Sequence, residues 1–271
     1  MAHLAGKSGS VYVGSTVIDV CDVAWTNGTH GTASLETTIK KEGIGSAKIV
    51  GSSVQAGDYI AYHALVAGET SYLGFTHALC WAYSSATTAA KDLVLVLDSA
   101  DEAPSSPETE LDFPALTEGT WKYCHLTNVT GKEIEDSTAA LVVGLEYSAN
   151  AADTTIYLDN IRAAKTVAGI NSWSLDYTTD ALETTDFADA GVKSYIVGGS
   201  GWSGSFAGYK DGAPLSMGEI YGVELAESAT ATQMYLGDII ITGVHPSVGS
   251  DGVVSVSYDF QGTGVLTPSS T

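Results

Sequence analysis

Residues 166–177 read TVAGINSWSLDY, and residues 6–18 read GKSGSVYVGSTVI. Each has the make-up of one arm of a β-hairpin, with β-branched and aromatic residues beside Gly, Asn and Ser. In the first, Trp173, Leu175 and Tyr177 fall on one face of a strand, and Ser172, Ser174 and Asp176 on the other. The two stretches read as the arms of one hairpin, yet residues 19–165 separate them. A hairpin begun, left and finished later implies a domain inserted into its turn, which close chain ends tolerate.

Downstream of that point the strands continue. WSGSFAGY (202–209) alternates Trp202, Gly204, Phe206 and Gly208 with Ser203, Ser205, Ala207 and Tyr209. VVSVSYDF (253–260) sets Val254, Val256, Tyr258 and Phe260 against Val253, Ser255, Ser257 and Asp259. Such period-two patterns predict half-buried antiparallel strands. YLGDIIITGV (235–244) is more evenly apolar and reads as a strand covered on both faces. A short helix is expected around APLSMGEI (213–220), with Pro214 in its first turn. The stretch 178–196 is polar and acidic without a clean period, and reads as a long functional loop or extended hairpin.

Residues 19–164 have their own rhythm. Strand-like runs recur at GSAKIVGS, DYIAYHAL, YLGFTHALCWAYSS, KDLVLVLDS, TWKYCHL, ALVVGLEYS and TTIYLDNIRA, with turn clusters such as SADEAPSSPET between them. That pattern predicts a two-sheet sandwich of jelly-roll type. The fold expected is therefore all-β, in three stretches. Residues 1–18 and 165–271 form one β-sandwich or barrel with one short helix, and 19–164 form the inserted jelly roll.

Composition narrows the function. The chain of 271 residues carries 32 acids against 11 bases, for a formal charge of −21, and Arg162 is its one arginine. Gripping phosphate needs Lys and Arg clusters, so nucleic-acid binding is disfavoured. No apolar run approaches the roughly 20 residues of a membrane span, and MAHLAGKSGS lacks a signal-peptide core, which predicts synthesis in a cytoplasm. Cys21, Cys80 and Cys124 are odd in number and widely spaced, and read as buried small hydrophobes. The histidines are scattered, no GxSxG or HExxH occurs, and GSGWSG (199–204) matches GxGxxG with a strand rather than a helix after it, so it reads as a glycine-rich turn. No catalytic or cofactor-binding residue is expected, and the chain does not read as an enzyme.

Joined end to end, the outer stretches give GKSGSVYVGSTVI, SWSLDY, the acidic ETTDFADAG, WSGSFAGY and a last strand closing on FQGTGVL. In that order these resemble the major tail tube protein of long-tailed bacteriophages. The resemblance implies a virion protein assembling into stacked hexameric rings around a channel for DNA ejection. Its partners would be further copies of itself, the tape measure, terminator and tail-tip proteins, and viral DNA that passes without specific binding. An acidic wall repels phosphates, and residues 165–271 hold 12 acids and 3 lysines, a balance of 3 − 12 = −9. Asp176, Glu224 and Asp259 sit on polar strand faces and are the lumen-facing candidates. The loop with Glu183, Asp186, Phe187 and Asp189 corresponds to one that reaches the adjacent ring.

The inserted block resembles phage-borne, carbohydrate-binding-type jelly rolls through IKKEGIGSAKI, LTEGTWKYCHL and TTIYLDNIRA. There an early acid and a terminal-strand Asp hold a structural calcium, which Asp22 and Asp159 match. The block would decorate the tube exterior, since it would obstruct a channel. If the small residues of YLGFTHALCWAYSS point inward, Trp81 and Tyr83 are offered for stacking on a host glycan. Two alternatives remain: a glycan- or cell-surface-binding decoration protein, and a tail terminator or tail-tip component of the same fold.

Overall fold

The computed structural model describes residues 9–65, 70–100, 102–148, 153–185, 192–227, 233–249 and 252–270. Asp186, Phe187 and Asp189 lie outside the described residues. The chain is all-β and divides into two units, one made of Met1–Val11 with Val167–Thr271, the other of Tyr12–Thr166.

In the split unit, β12 (Ile170–Glu183) pairs with β13 (Tyr195–Tyr209), β13 with β16 (Val254–Ser270), β16 with β15 (Gln233–Val248), and β15 with β14 (Ile220–Ala226). All of these pairings are antiparallel. The expected alternation holds: Phe206 lies opposite both Trp173 and Tyr258, and Phe206, Tyr258 and Phe260 are buried. Their rings pack at centroid distances of 5.0 Å (Phe206–Tyr258) and 6.0 Å (Phe206–Phe260). Each such ring contributes about 2–3 kcal/mol of apolar burial.

Three expectations need correction here. Strand β1 (Ser10–Asp19) does pair with the returning chain, but through β11 (Thr155–Thr166), with Tyr12 opposite Thr166. SWSLDY belongs to β12 and takes β13 as its partner, so the unit boundary falls at Val11/Tyr12 rather than after residue 18. The helix at 213–220 is absent; Gly218 takes φ +83°, a left-handed conformation that ends any helix, and so short a run cannot nucleate alone. Among the described residues the one helical turn is a 3-10 turn at Ile134–Asp136. The third is GSGWSG, which lies inside β13 rather than in a turn; a Cβ on Gly204 would come 2.2 Å from the Ser174 carbonyl oxygen, so that glycine serves close strand approach.

The inserted unit is a two-sheet sandwich. One sheet runs β3 (Gly31–Glu36), β4 (Ser46–Gly51), β11, β6 (His77–Ser84) and β9 (Lys122–Asn128). The other runs β2 (Thr26–Asn27), β5 (Asp58–Ala64), β10 (Val142–Tyr147), β7 (Leu93–Asp98) and β8 (Thr109–Asp112). Its core joins Ile49, Ile156 and Leu158 to Leu93, Leu95, Leu97, Val143 and Leu145. All three cysteines are free and buried. Among the described residues no helix is long and apolar enough to cross a membrane.

Candidate functional site

The face of the split unit opposite its aromatic core carries, on β12, β13 and β16, mainly hydroxyl and carboxylate side chains, with Ala207 and Gln261 among them. Period-two alternation forces this, because every Trp, Phe or Tyr turned inward turns a Ser or Asp outward. Cross-strand register arranges them in rows: Asp176 beside Ser203 and Gln261, Ser174 beside Ser205 and Asp259, and Ser172 beside Ala207, Ser257 and His245. Ser174 and Ser205 share a hydrogen bond of 3.1 Å between hydroxyls. His245 Nε2 lies 3.0 Å from Asp259 Oδ2. None of the residues in these rows is Lys or Arg.

Asp176 and Asp259 are thus exposed on one common face. Glu224 is not there. It is buried on β14 between Val223 and Leu225, which are buried as well, so this carboxylate presents no charge to open solvent. The strand β14 is buried on both faces from Gly222 to Ala226, so no polar face exists there for Glu224 to occupy.

Beyond the span where β16 flanks it, the β12–β13 pair continues as a two-stranded ribbon. Leu182 lies opposite Ile196, Ala181 opposite Val197, and Glu183 opposite Tyr195. Leu182, Val192, Tyr195, Ile196 and Val197 are exposed, Val197 by 82%. A lone two-stranded ribbon is marginal in water, and exposed large apolar side chains on it indicate a contact surface. Glu183 is at its described end, ion-paired with Lys193 at 2.9 Å.

In the inserted unit, Ala78, Cys80 and Ala82 point into the core, so Leu79, Trp81 and Tyr83 take the opposite face of β6. Trp81 is nevertheless only 3% exposed: Tyr123 packs edge-on at 4.7 Å and Lys41 Nζ sits 4.5 Å from its ring centroid. It is therefore not offered to a ligand. Tyr83 is half-buried, with Trp121 at 5.7 Å and Tyr157 at 5.2 Å. Trp121, also half-buried, and Tyr157 were missed in sequence because neither stands on the strand that suggested stacking. Lys48 Nζ lies 5.9 Å from the Tyr157 ring centroid and 3.6 Å from Glu36 Oε2.

Asp22 and Asp159 both hold the turn at residues 41–45. Ile44 and Gly45 donate backbone N–H bonds to Asp22 Oδ1 at 2.7 and 2.9 Å. Lys41 and Glu42 donate theirs to Asp159 Oδ2 at 2.7 and 3.0 Å. Asp159 Oδ1 is buried without a hydrogen-bond partner. Burial first, with the charges of Glu42 and Asp22 adding to it, pushes the Asp159 carboxyl up to about 6 despite those amide bonds. Residues beside both acids are left-handed, Cys21 at φ 61° and Asn160 at φ 50°, and a register shift follows Asp159 in the β11–β6 ladder. Asp159 thus keeps one buried oxygen without a hydrogen-bond partner amid like charges, but Asp22, Glu42 and Asp159 do not bring three ligand atoms together closely enough for one ion, and Glu42 Oε2 already accepts from Asn160 Nδ2 at 2.7 Å.

No protein-family model matches the chain, and no curated protein matches it. Among solved structures, it is similar to a chain from the tail of an empty gene transfer agent particle computed with C6 helical refinement, at 16% identity and TM-score 0.34, covering 40% of this chain and 87% of that one. A chain from the virion of a native gene transfer agent particle is similar at 16% identity and TM-score 0.34, over 40% and 89%. An exo-beta-agarase is similar at 14% identity and TM-score 0.33, over 52% of this chain and 23% of its own.

Proposed function

We propose that this chain is a structural, self-assembling subunit of a phage-type tail tube, forming hexameric rings that stack around a channel for DNA. The observation that carries this reading is the Ser/Asp face of β12, β13 and β16. A wall of hydroxyls and carboxylates without Lys or Arg gives DNA phosphates little to exchange their counterions for, so duplex slides rather than sticks. The exposed ribbon supplies a surface for contact along the stack, and long strands that would be hazardous edges in a monomer are satisfied by assembly. The inserted unit decorates the exterior, because a domain of its size would block the channel. Tape measure, terminator and tail-tip proteins would be the other partners. Negative-stain microscopy across a concentration series tests the reading: hollow tubes or stacked six-fold rings are expected, and dispersed monomers at every concentration would sink it in favour of a decoration or tail-tip role.

Calcium is a second element of the proposal. Asp159, through its unpartnered Oδ1 and with Asp22 beside it, would hold the ion, with backbone carbonyls and water completing the shell, and the ion would supply charge compensation at the 41–45 turn. Millimolar calcium is expected to raise the melting point of the inserted unit by roughly 5–10 °C over EDTA, the range that about 2.7 kcal/mol of ligand linkage produces. Asp159→Asn should erase that difference; an equal calcium response in the variant would remove Asp159 from the site.

Glycan contact is favoured by one observation, the half-buried Tyr83–Trp121 pair on the outer face of its sheet. Retardation of the protein in polysaccharide-containing gels is expected, with Trp121→Ala weakening it about tenfold, the scale of one lost ring contact. Unchanged retardation in that variant would place any glycan contact elsewhere.

A further inference from the structure

We propose that Cys80 and Cys124 are a modification site, a thiol pair that closes into a cross-strand disulfide of the inserted unit when the chain meets a small-molecule disulfide. Strands β6 and β9 run antiparallel with Cys80 directly opposite Cys124, and both side chains lie in the core of the sandwich. Directly opposed residues stand about 4.5–5.5 Å apart at Cα and at Cβ. A disulfide spans roughly 4.4–6.8 Å at Cα and about 3.5–4.5 Å at Cβ, so an approach of about 1 Å suffices. The two side chains already meet. Burial first, then the hydrogen bond with Cys124, pushes the Cys80 thiol up, and the Cys124 thiol donates to the Lys122 carbonyl at 3.5 Å. Cys21 is the third core thiol, but it stands in the connection between β1 and β2. Its Sγ donates to the Asp19 carbonyl at 3.9 Å, and no strand register sets it opposite either of the others.

Both cysteines are wholly buried, so reaction proceeds through local opening, and Cys124 is the thiol that opening reaches. Among the described residues, the first half of β9 pairs with β6 alone, whereas its far end is also held by β8 through Thr127 and Asn128. Unzipping a strand end held on one side is a low-energy opening. The Cys124 thiolate then attacks one sulfur of the small disulfide, forming a mixed disulfide and releasing one thiolate. The Cys80 thiolate attacks the Cys124 sulfur and expels the second. Two protein thiols are thereby oxidised, and their two protons and two electrons leave with the two small thiols produced. The bond ties β6 to the strand through which the two sheets join, and it closes the stretch 80–124, which holds β7 and β8. Closing that loop constrains the unfolded chain and so stabilises the inserted unit. Under the function proposed above, the bond forms as the particle passes from a reducing cytoplasm to an oxidising exterior.

The test incubates the native full-length chain with oxidised glutathione, quenches with acid and counts free thiols in denaturant. The expected result is a fall from three thiols to one, a chain lighter by two hydrogens, and a non-reduced peptide joining Cys80 to Cys124. Calorimetry should show the inserted unit melting roughly 5–10 °C higher, a gain that dithiothreitol removes. Cys21→Ala should lose both of its remaining thiols and show the full gain. Cys124→Ala should keep both of its own and show none. Three thiols surviving in the parent, a bond that includes Cys21, or an equal thermal gain in C124A would overturn the inference. These readouts do not depend on assembly, so the tube reading stands or falls separately.

Discussion

Replacing Gly262 with valine is expected to lower the melting point of the split unit by roughly 10–20 °C, with the transition of the inserted unit unmoved. A Cβ at Gly262 would fall 2.0 Å from Trp202 Cε2 and 2.1 Å from Cδ2, and one at Gly237 2.6 Å from Cζ2. The indole therefore lies flat across two glycines on adjacent strands. It cannot step aside. Its Nε1 donates to the Gly264 carbonyl at 3.2 Å, its backbone carbonyl accepts from Gln261 Nε2 at 2.7 Å, and Phe260 packs edge-on at 6.0 Å. Overpacking a locked ring of this kind costs about 3 kcal/mol. Gly199→Ala is the control, since its Cβ meets nothing within 4 Å. Calorimetry showing equal shifts in the two variants would refute the nested-ring account of this sheet.

The second large effect concerns the polar face. Asp176→Lys with Asp259→Lys changes the formal charge of the chain by four, from −21 to −21 + 4 = −17, and places the change on one wall. Assembled parental protein is expected to retain no duplex DNA at about 50 mM salt, whereas tubes of D176K/D259K should retain it strongly and release it by about 200 mM, as counterion release requires. Asp211→Lys with Glu219→Lys makes the same charge change in the exposed 210–219 connection and serves as the comparison. Equal retention by the two double variants would show that net charge, rather than this face, governs contact with DNA.

Much of this architecture was legible in the residues themselves, for a definite reason. Alternation in SWSLDY, WSGSFAGY and VVSVSYDF is strict, and a one-residue slip would expose Trp, Phe and Tyr together, so both strand and face follow directly. Asp176 and Asp259 inherit their places from that rule. Glu224 does not, because a strand covered on both sides carries no alternation to read. The true partner of β1 was hidden for another reason. Both β11 and β12 have strand composition, and pairing is decided by tertiary register rather than by either sequence. Asp22 and Asp159 stood out through the resemblance, but the turn at 41–45 that they hold, Glu42 and the orphaned Asp159 oxygen emerge only once backbone amides and burial are known. Trp81 and Tyr83 sit on the same face as expected, yet Lys41 and Tyr123, distant in sequence, cover the tryptophan.

Electron cryomicroscopy of the assembled full-length chain tests the central claim most directly. The expected map is a hollow six-fold tube with Ser174, Ser205, Asp176 and Asp259 lining an open channel and the inserted unit projecting outside. A tube whose channel is lined by other strands, or a protein that stays monomeric at every concentration, would contradict it.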